Sequence, residues 1–381
     1  MAAEGDCMAS TDTMRAAVMI APKQTQIQEF QLPEIPADAG ILRVLRAGIC
    51  GADIPMYADP NKVPRILGHE NVGIIEKLGE LAGERWGVQV GDYVALEEYL
   101  PCGNCNLCRA GEYRACAGTN RWSGGLRYGS TTTDVWPGLW GGYSQFQYIH
   151  PRAVMHRVPA NVPPRMAAMA LPLGNGFQWA VLDGGASVGE TVVVQGPGQQ
   201  GLACVVAAKA AGARTVISTG LARDRLRLDV AKRLGADYTI AVDEESMRDR
   251  VAEITKGAGA DLVLDVSSGG ATEVINGGLD ILKPRHGRFV AAAFKQKAID
   301  GFALDTVIAK TIRFQGVRGH SFKAVEMGLE LMASETMDLE AMSTHEFGLD
   351  GVDEALRLVA GEIRDKNGNQ AIHVTIDPWM N

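Results

Sequence analysis

The sequence predicts an α/β chain of two units: a mostly β, barrel-like one, and a doubly wound parallel sheet with helices on both faces. Three observations carry this. At 381 residues the chain is too long for one ordinary core. Up to about His156 it reads as short strand patterns cut by Gly and Pro, whereas beyond Pro163 fully apolar strand runs alternate with helical ones. The final AIHVTI returns to a strand pattern after two helices, so it is expected to complete the first unit, making that unit discontinuous.

Taken in order, MAAEGDCMASTDT has acids, a glycine and no apolar run; residues 1–13 are expected to form a disordered lead-in and not a secretory signal. AAVMI, ILRVLRAG, VGIIEKLG, DYVALEEYL and YSQFQYI are strand patterns. TNRWSGGLRYGSTTTDVWPGLWGG, over 119–142, lacks periodicity and suits either a structural or subunit-contact loop or a lid whose Trp122, Trp136 and Trp140 reach a pocket. MAAMALPLGNGFQWAVLDGG then reads as helix, and TVVVQGPGQQGLACVVAAKAAGA as strand, Gly-rich turn and helix. TVISTG, YTIAV, DLVLDVS and GRFVAAAF are further strands, separated by helical patterns such as DRLRLDVAKRLGA and SMRDRVAEITKG. The predicted bounds are 14–162 with 313–381 for the first unit and 163–312 for the second.

A net charge of −8 and a pI near 5.5 argue against nucleic acid as a partner, because phosphate binding needs a basic face. No apolar run reaches the ~20 residues that span a bilayer. The expected compartment is therefore a reducing cytoplasm, where clustered cysteines bind metal more often than they pair.

Gly196, Pro197, Gly198, Gln199, Gln200 and Gly201 fit G-x-G-x-x-G. They follow the strand TVVVQ and open an apolar helix, the context of a dinucleotide turn. The glycines permit close backbone approach, and the helix N-terminus accepts a pyrophosphate. An acid usually ends the next strand and takes the ribose hydroxyls; here Thr219 and Gly220 stand there, followed by Arg223 and Arg225. The cofactor is thus NAD(P)(H), with a lean to NADP.

PCGNCNLCRAGEYRAC spaces Cys102, Cys105, Cys108 and Cys116 as C-x2-C-x2-C-x7-C. Four thiolates so close can complete a tetrahedral zinc shell, which leaves no open position and makes this a structural clamp. A site with an open position needs other donors. AGICGAD offers Cys50 and Asp53, and LGHENVG offers His69 and Glu70, beside the ordinary alternatives of a core cysteine and a locally satisfied histidine.

With these residues in hand, the chain resembles the zinc-dependent medium-chain alcohol dehydrogenases. Gly68, His69, Glu70, Gly73, Gly79 and Ala82 fit that family's zinc signature, and the cysteine spacing and nucleotide turn agree from Met14 onward. The resemblance implies a GroES-like β-barrel catalytic domain with a Rossmann domain, assembled as a homodimer or homotetramer. It implies reversible hydride transfer between an alcohol or carbonyl substrate and NAD(P)+, with zinc acting on the alcohol oxygen. Cys50 and His69 would be zinc ligands, Glu70 a nearby or exchanging ligand, and Asp53 an acceptor for the His69 ring.

Three positions depart from the pattern. Ala52 and Pro55 stand where a hydroxyl and a histidine usually relay the alcohol's proton, and Leu171 stands where a third ligand is usual. Either Glu70 serves as the permanent third ligand, or the zinc is weak or absent. The first reading is an alcohol dehydrogenase for a hydrophobic, cyclic or aromatic alcohol. The alternatives are a zinc-independent reductase of activated C=C bonds or quinones, and a catalytically silent NAD(P)-binding protein.

Overall fold

The computed structural model describes residues 13–61, 63–120, 123–296 and 298–380. The expected lead-in falls outside these residues apart from Thr13, which already pairs with Gln31 in the first strand, and Trp122 also falls outside them.

The first unit holds two mostly antiparallel sheets over one core. In the smaller sheet Thr13–Ala21 lies between Gln24–Gln31 and Arg65–Ile66. The seven-stranded sheet runs Ser343–Phe347, His373–Ile376, Gly40–Gly48, Glu70–Leu78, Tyr93–Leu96 and Met155–Arg157, with Phe146–Ile149 also pairing with Gly40–Gly48. Val18, Ile41, Val44, Ile66 and Trp140 are fully or almost fully buried between them. The closing segment of the chain lies antiparallel to the end of Gly40–Gly48, Thr375 opposite Gly48.

The second unit is a six-stranded parallel sheet ordered Tyr238–Ala241, Thr215–Gly220, Thr191–Gln195, Leu262–Asp265, Arg288–Ala291 and Arg313–Gly316. Its helix Gln199–Ala210 is apolar almost all round because it lies between the sheet and the helix Ala170–Gly176. Here the structure corrects the expected boundary at 313. Arg313–Gly316 does not return to the first unit; it pairs in parallel with Arg288–Ala291, and Phe314 stacks on Phe289 with ring centroids 5.0 Å apart. The following helix Phe322–Ser334 buries Val325 and Leu329 in the core shared with Ala170–Gly176. The strand RFQG is short and half polar, so its own pattern did not reveal the sheet edge it completes.

The two units are joined by a shared apolar core, in which Val72 and Ala95 of the first meet Leu171 and Leu173 of the second, and by polar contacts. Glu97, fully buried, accepts from Tyr113 Oη at 2.6 Å and pairs with His156 Nε2 at 2.9 Å. His320 of the second unit brings Nε2 within 3.6 Å of its other oxygen. Burial alone would raise the Glu97 pKa, but the His156 and His320 interactions outweigh it and pull it down to about 2. A carboxyl depressed in this way stabilises the fold above the usual value of about 4.3, and that contribution is lost as pH falls towards 2. Glu97→Gln should therefore lower the denaturation midpoint at pH 7 by the equivalent of about 3 kcal/mol and flatten the loss of stability between pH 4 and 2. Equal midpoints and equal acid limbs in chemical denaturation would show that the contact contributes nothing.

Candidate metal and nucleotide site

The pairing of Gly40–Gly48 with Glu70–Leu78 sets Gly48 opposite Glu70, so the loop carrying Cys50 leaves the sheet beside His69 and Glu70. Gly48 is required there: a Cβ would lie 2.6 Å from Glu70 Oε2 and 2.8 Å from His373 Nε2. Cys50, His69 and Glu70 bring one ligand atom each to within 4.8 Å of one another. Asp53, fully buried, fastens this arrangement. Its Oδ2 accepts from the Cys50 backbone N–H and from Tyr143 Oη, both at 3.0 Å, and its Oδ1 lies 3.1 Å from His69 Nδ1. The other imidazole nitrogen is left facing the cluster.

The electrostatics suit a cation. Burial, reinforced by Glu70, pushes the Cys50 thiol up to about 12, so the thiolate needs a positive charge beside it at neutral pH. Burial opposes charging of His69, yet Asp53 and then Cys50 and Glu98 raise its pKa well above the ordinary value. A thiol, an imidazole and a carboxylate so disposed form the donor set of zinc. The residues present therefore fit the metal, although Leu171 lines the same cavity and offers no donor.

Two neighbours escaped the sequence reading. Glu98 Oε2 stands 3.4 Å from His69 Nε2, and its other oxygen pairs closely with Arg127, whose guanidinium lies over the Tyr99 ring. Burial would raise the Glu98 pKa, but Arg127 and then His69 bring it down to about 2. The signal was the EE pair inside the otherwise apolar strand pattern VALEEYL. The second neighbour, His373, opens the last strand and places Nε2 3.8 Å from Glu70 Oε2.

The cysteine lobe holds Cys102, Cys105, Cys108 and Cys116 with their sulfurs within 4.8 Å of one another. The Cys105–Cys108 and Cys102–Cys108 separations are 3.5 and 3.9 Å. These are far beyond a disulfide bond and close to the edge of about 3.8 Å that a tetrahedron of 2.3 Å zinc–sulfur bonds requires. Backbone N–H groups of Cys102 and Gly118 both point at Cys116 Sγ at 3.3 Å. N–H bonds from Asn104 and Cys105 lower the Cys102 thiol to about 6, whereas burial raises Cys108 to about 12.

The nucleotide turn follows Thr191–Gln195. Gly196 has φ +103°, and a Cβ on Gly201 would fall 1.8 Å from the Gly196 carbonyl oxygen, so the close turn admits only glycine there. Gly198 caps the helix Gln199–Ala210, and Pro197 packs over Gly220. The structure separates the remaining predicted residues. Thr219 O accepts from Gly196 N at 3.0 Å, Arg223 is exposed, and Arg225 pairs with Glu244 at 2.7 Å. Gly220 cannot readily carry a side chain, since its Cβ would lie 2.7 Å from Pro197 Cγ. Gln200 lines the cavity and its Oε1 is buried without a hydrogen-bond partner, an acceptor suited to a bound cofactor amide. Gln199 turns the other way and donates Nε2 to both Glu70 oxygens, at 3.1 and 3.3 Å.

One cavity of about 790 Å³ joins the two halves: Cys50, His69 and Glu70 line it from one side, Gln200, Val266 and Ala292 from the other. Arg127, Tyr128 and Ser130 of the 119–142 stretch line it, but Trp136 and Trp140 of that stretch do not. Trp140 is buried in the first unit and donates to Val135 O at 2.8 Å, and Trp136 packs on Tyr148. Among the described residues, the tryptophan that lines the cavity is Trp179.

Residues 37–160 match the model of the alcohol dehydrogenase GroES-like domain, and residues 201–334 that of the zinc-binding dehydrogenases. The chain is 35% identical over 378 residues to a probable alcohol dehydrogenase of Mycobacterium tuberculosis, covering 97% of this chain and 100% of that one. It is 34% identical over 340 residues to the sorbitol dehydrogenase of Halalkalibacterium halodurans, covering 88% and 91%. The crystal structure of an alcohol dehydrogenase from Thermotoga maritima superposes with a TM-score of 0.83 at 25% identity, covering 96% of this chain and 99% of that one.

The cysteine geometry makes its own prediction. Cys105→Ser should remove about one zinc atom per chain and lower thermal stability, as metal analysis and a melting curve would reveal. A variant with full zinc and an unchanged melting temperature would show that the lobe is held without metal.

Proposed function

The chain belongs to the zinc-dependent medium-chain dehydrogenases/reductases, and on that premise we propose that it transfers a hydride between a hydrophobic alcohol and NAD(P)+, or in reverse from NAD(P)H to the carbonyl. The observation that supports this most directly is the shared cavity, which opens the Cys50, His69 and Glu70 donors and the nucleotide turn onto the same space. Zinc held by those three residues would supply a Lewis acid to the alcohol oxygen. Asp53 orients the His69 ring through Nδ1 and keeps Nε2 turned to the cluster. Ala52 and Pro55 provide no proton acceptor, so Glu70 and the open solvent are left to take the alcohol's proton. Met56, Leu171, Trp179 and Phe294 on the cavity wall favour a substrate with an apolar, cyclic or aromatic body.

For the cofactor we read NADP(H) as accepted at least as well as NAD(H). The close approach of Pro197 keeps residue 220 small, so no carboxylate stands there to repel a 2′-phosphate, and Arg223 is exposed on the adjoining turn. Assembly as a homodimer or homotetramer and a cytoplasmic location complete this reading. Among the described residues no helix is long and apolar enough to cross a membrane.

The second reading, a zinc-independent reductase of activated C=C bonds or quinones, is favoured by Leu171 and Ala52, which remove a donor and a hydroxyl from the cavity. Metal content separates the two. The proposed enzyme carries about two zinc atoms per chain, and Glu70→Gln should weaken the second by more than the 10–100-fold typical of losing an outer partner, with a parallel fall in alcohol oxidation. Leu171→Asp should tighten it. Full activity from protein stripped of that metal would give the C=C reductase reading precedence.

Arg223→Ala tests the cofactor assignment. It should weaken NADPH binding about tenfold and leave NADH binding unchanged in a fluorescence titration. Equal loss of both, or rejection of NADPH by the unaltered protein, would remove Arg223 from the 2′-phosphate site.

A further inference from the structure

We propose that Gln199 is a positioning residue that couples nucleotide binding to metal binding through Glu70; this rests on the metal reading of Cys50, His69 and Glu70 given above. Gln199 is the first residue of the helix Gln199–Ala210, directly after the Gly198 cap. Its backbone therefore belongs to the turn that faces a dinucleotide's phosphates. Its side chain leaves the second unit altogether and donates Nε2 to both oxygens of Glu70, at 3.1 and 3.3 Å, across 129 residues of sequence. Gln199 is 9% exposed and Glu70 2%, so water does not compete well for this contact.

Glu70 is held from few directions. His373 Nε2 stands 3.8 Å from Oε2, and Gly48 lies beneath, its missing side chain leaving the space in which the carboxylate sits. Both belong to the first unit, as do the cluster partners Cys50 and His69. Gln199 is the contact that ties the carboxylate to the nucleotide turn. The amide reaches both oxygens, so one can turn to a cation while the other keeps its hydrogen bond. A cation on Glu70 then fixes the Gln199 side chain and with it the first turn of the helix, and a nucleotide meets a turn already ordered. By reciprocity, a nucleotide that fixes the turn holds Glu70 towards the cation, and each ligand tightens the other by the same factor.

The test is a four-way titration. NADPH and NADH affinities are measured by fluorescence on protein carrying about two zinc atoms per chain and on protein from which a chelator has removed the second, with zinc counted in both. The unaltered protein should bind reduced nucleotide about tenfold more tightly with the second zinc present. Gln199→Met keeps the size and the helix but removes the donor, and it should bring that ratio close to one. Glu70→Gln should reduce the ratio too, and the double variant should reduce it no further. A Gln199 that merely stabilised the fold would shift both affinities together and leave the ratio intact, which would overturn the proposal. A ratio near one in the unaltered two-zinc protein would overturn the coupling and leave the metal site standing. Only one zinc atom per chain in the unaltered protein would defeat the metal reading, and this proposal with it.

Discussion

The register that places Gly48 opposite Glu70 is the constraint on which the site depends. An antiparallel pair alternates its faces, so a slip of one residue would turn Glu70 away from the cluster and move Cys50 off its end. Three features secure that register. The Gly40–Gly48 strand is paired along both edges, the last strand of the chain docks beside Gly48, and the side-chain-free position at Gly48 accepts the Glu70 carboxylate. The functional end of the first unit is thus fixed by residues from three distant parts of the sequence.

Around this point the protein concentrates buried negative charge. Asp53, Glu70, Glu97 and Glu98 are all buried within a few residues of the cavity or the seam. Buried charges persist only when paired or bound to metal. Glu98 has Arg127 and Glu97 has His156, while Asp53 is held by Tyr143 and the Cys50 backbone. Glu70 has an amide donor and a distant imidazole, a weaker complement than its neighbours enjoy. A divalent cation between Glu70, Cys50 and His69 would balance both this carboxylate and the raised thiol.

What was legible in the sequence was local. Four cysteines within fifteen residues and a glycine turn between a strand and a helix announce their geometry because the ligands and the turn are made by adjacent residues. The pairing of the LGHENVG and AGICGAD segments came from resemblance, since nothing in their own pattern says they meet. Glu98 stayed hidden because its partner Arg127 comes from the aperiodic 119–142 stretch, and Gln199 because a motif describes backbone and says little about where a side chain goes. Trp136 and Trp140 of that stretch were ambiguous for a related reason. Large aromatic rings suit a pocket wall and a core equally well, and Trp140 fills the core.

The seam between the two units is crossed by polar contacts, with His320 beside Glu97, Gln199 on Glu70 and Arg227 donating to the Ala371 carbonyl at 2.7 Å. It is also crossed by a shared apolar core in which Val72 and Ala95 of the first unit join Leu171 and Leu173 of the second. The polar groups can exchange one another for water, whereas the apolar part would have to be wetted if the seam parted. Parting of the units is therefore opposed by apolar burial, and the polar contacts mark where local exchange with water costs least.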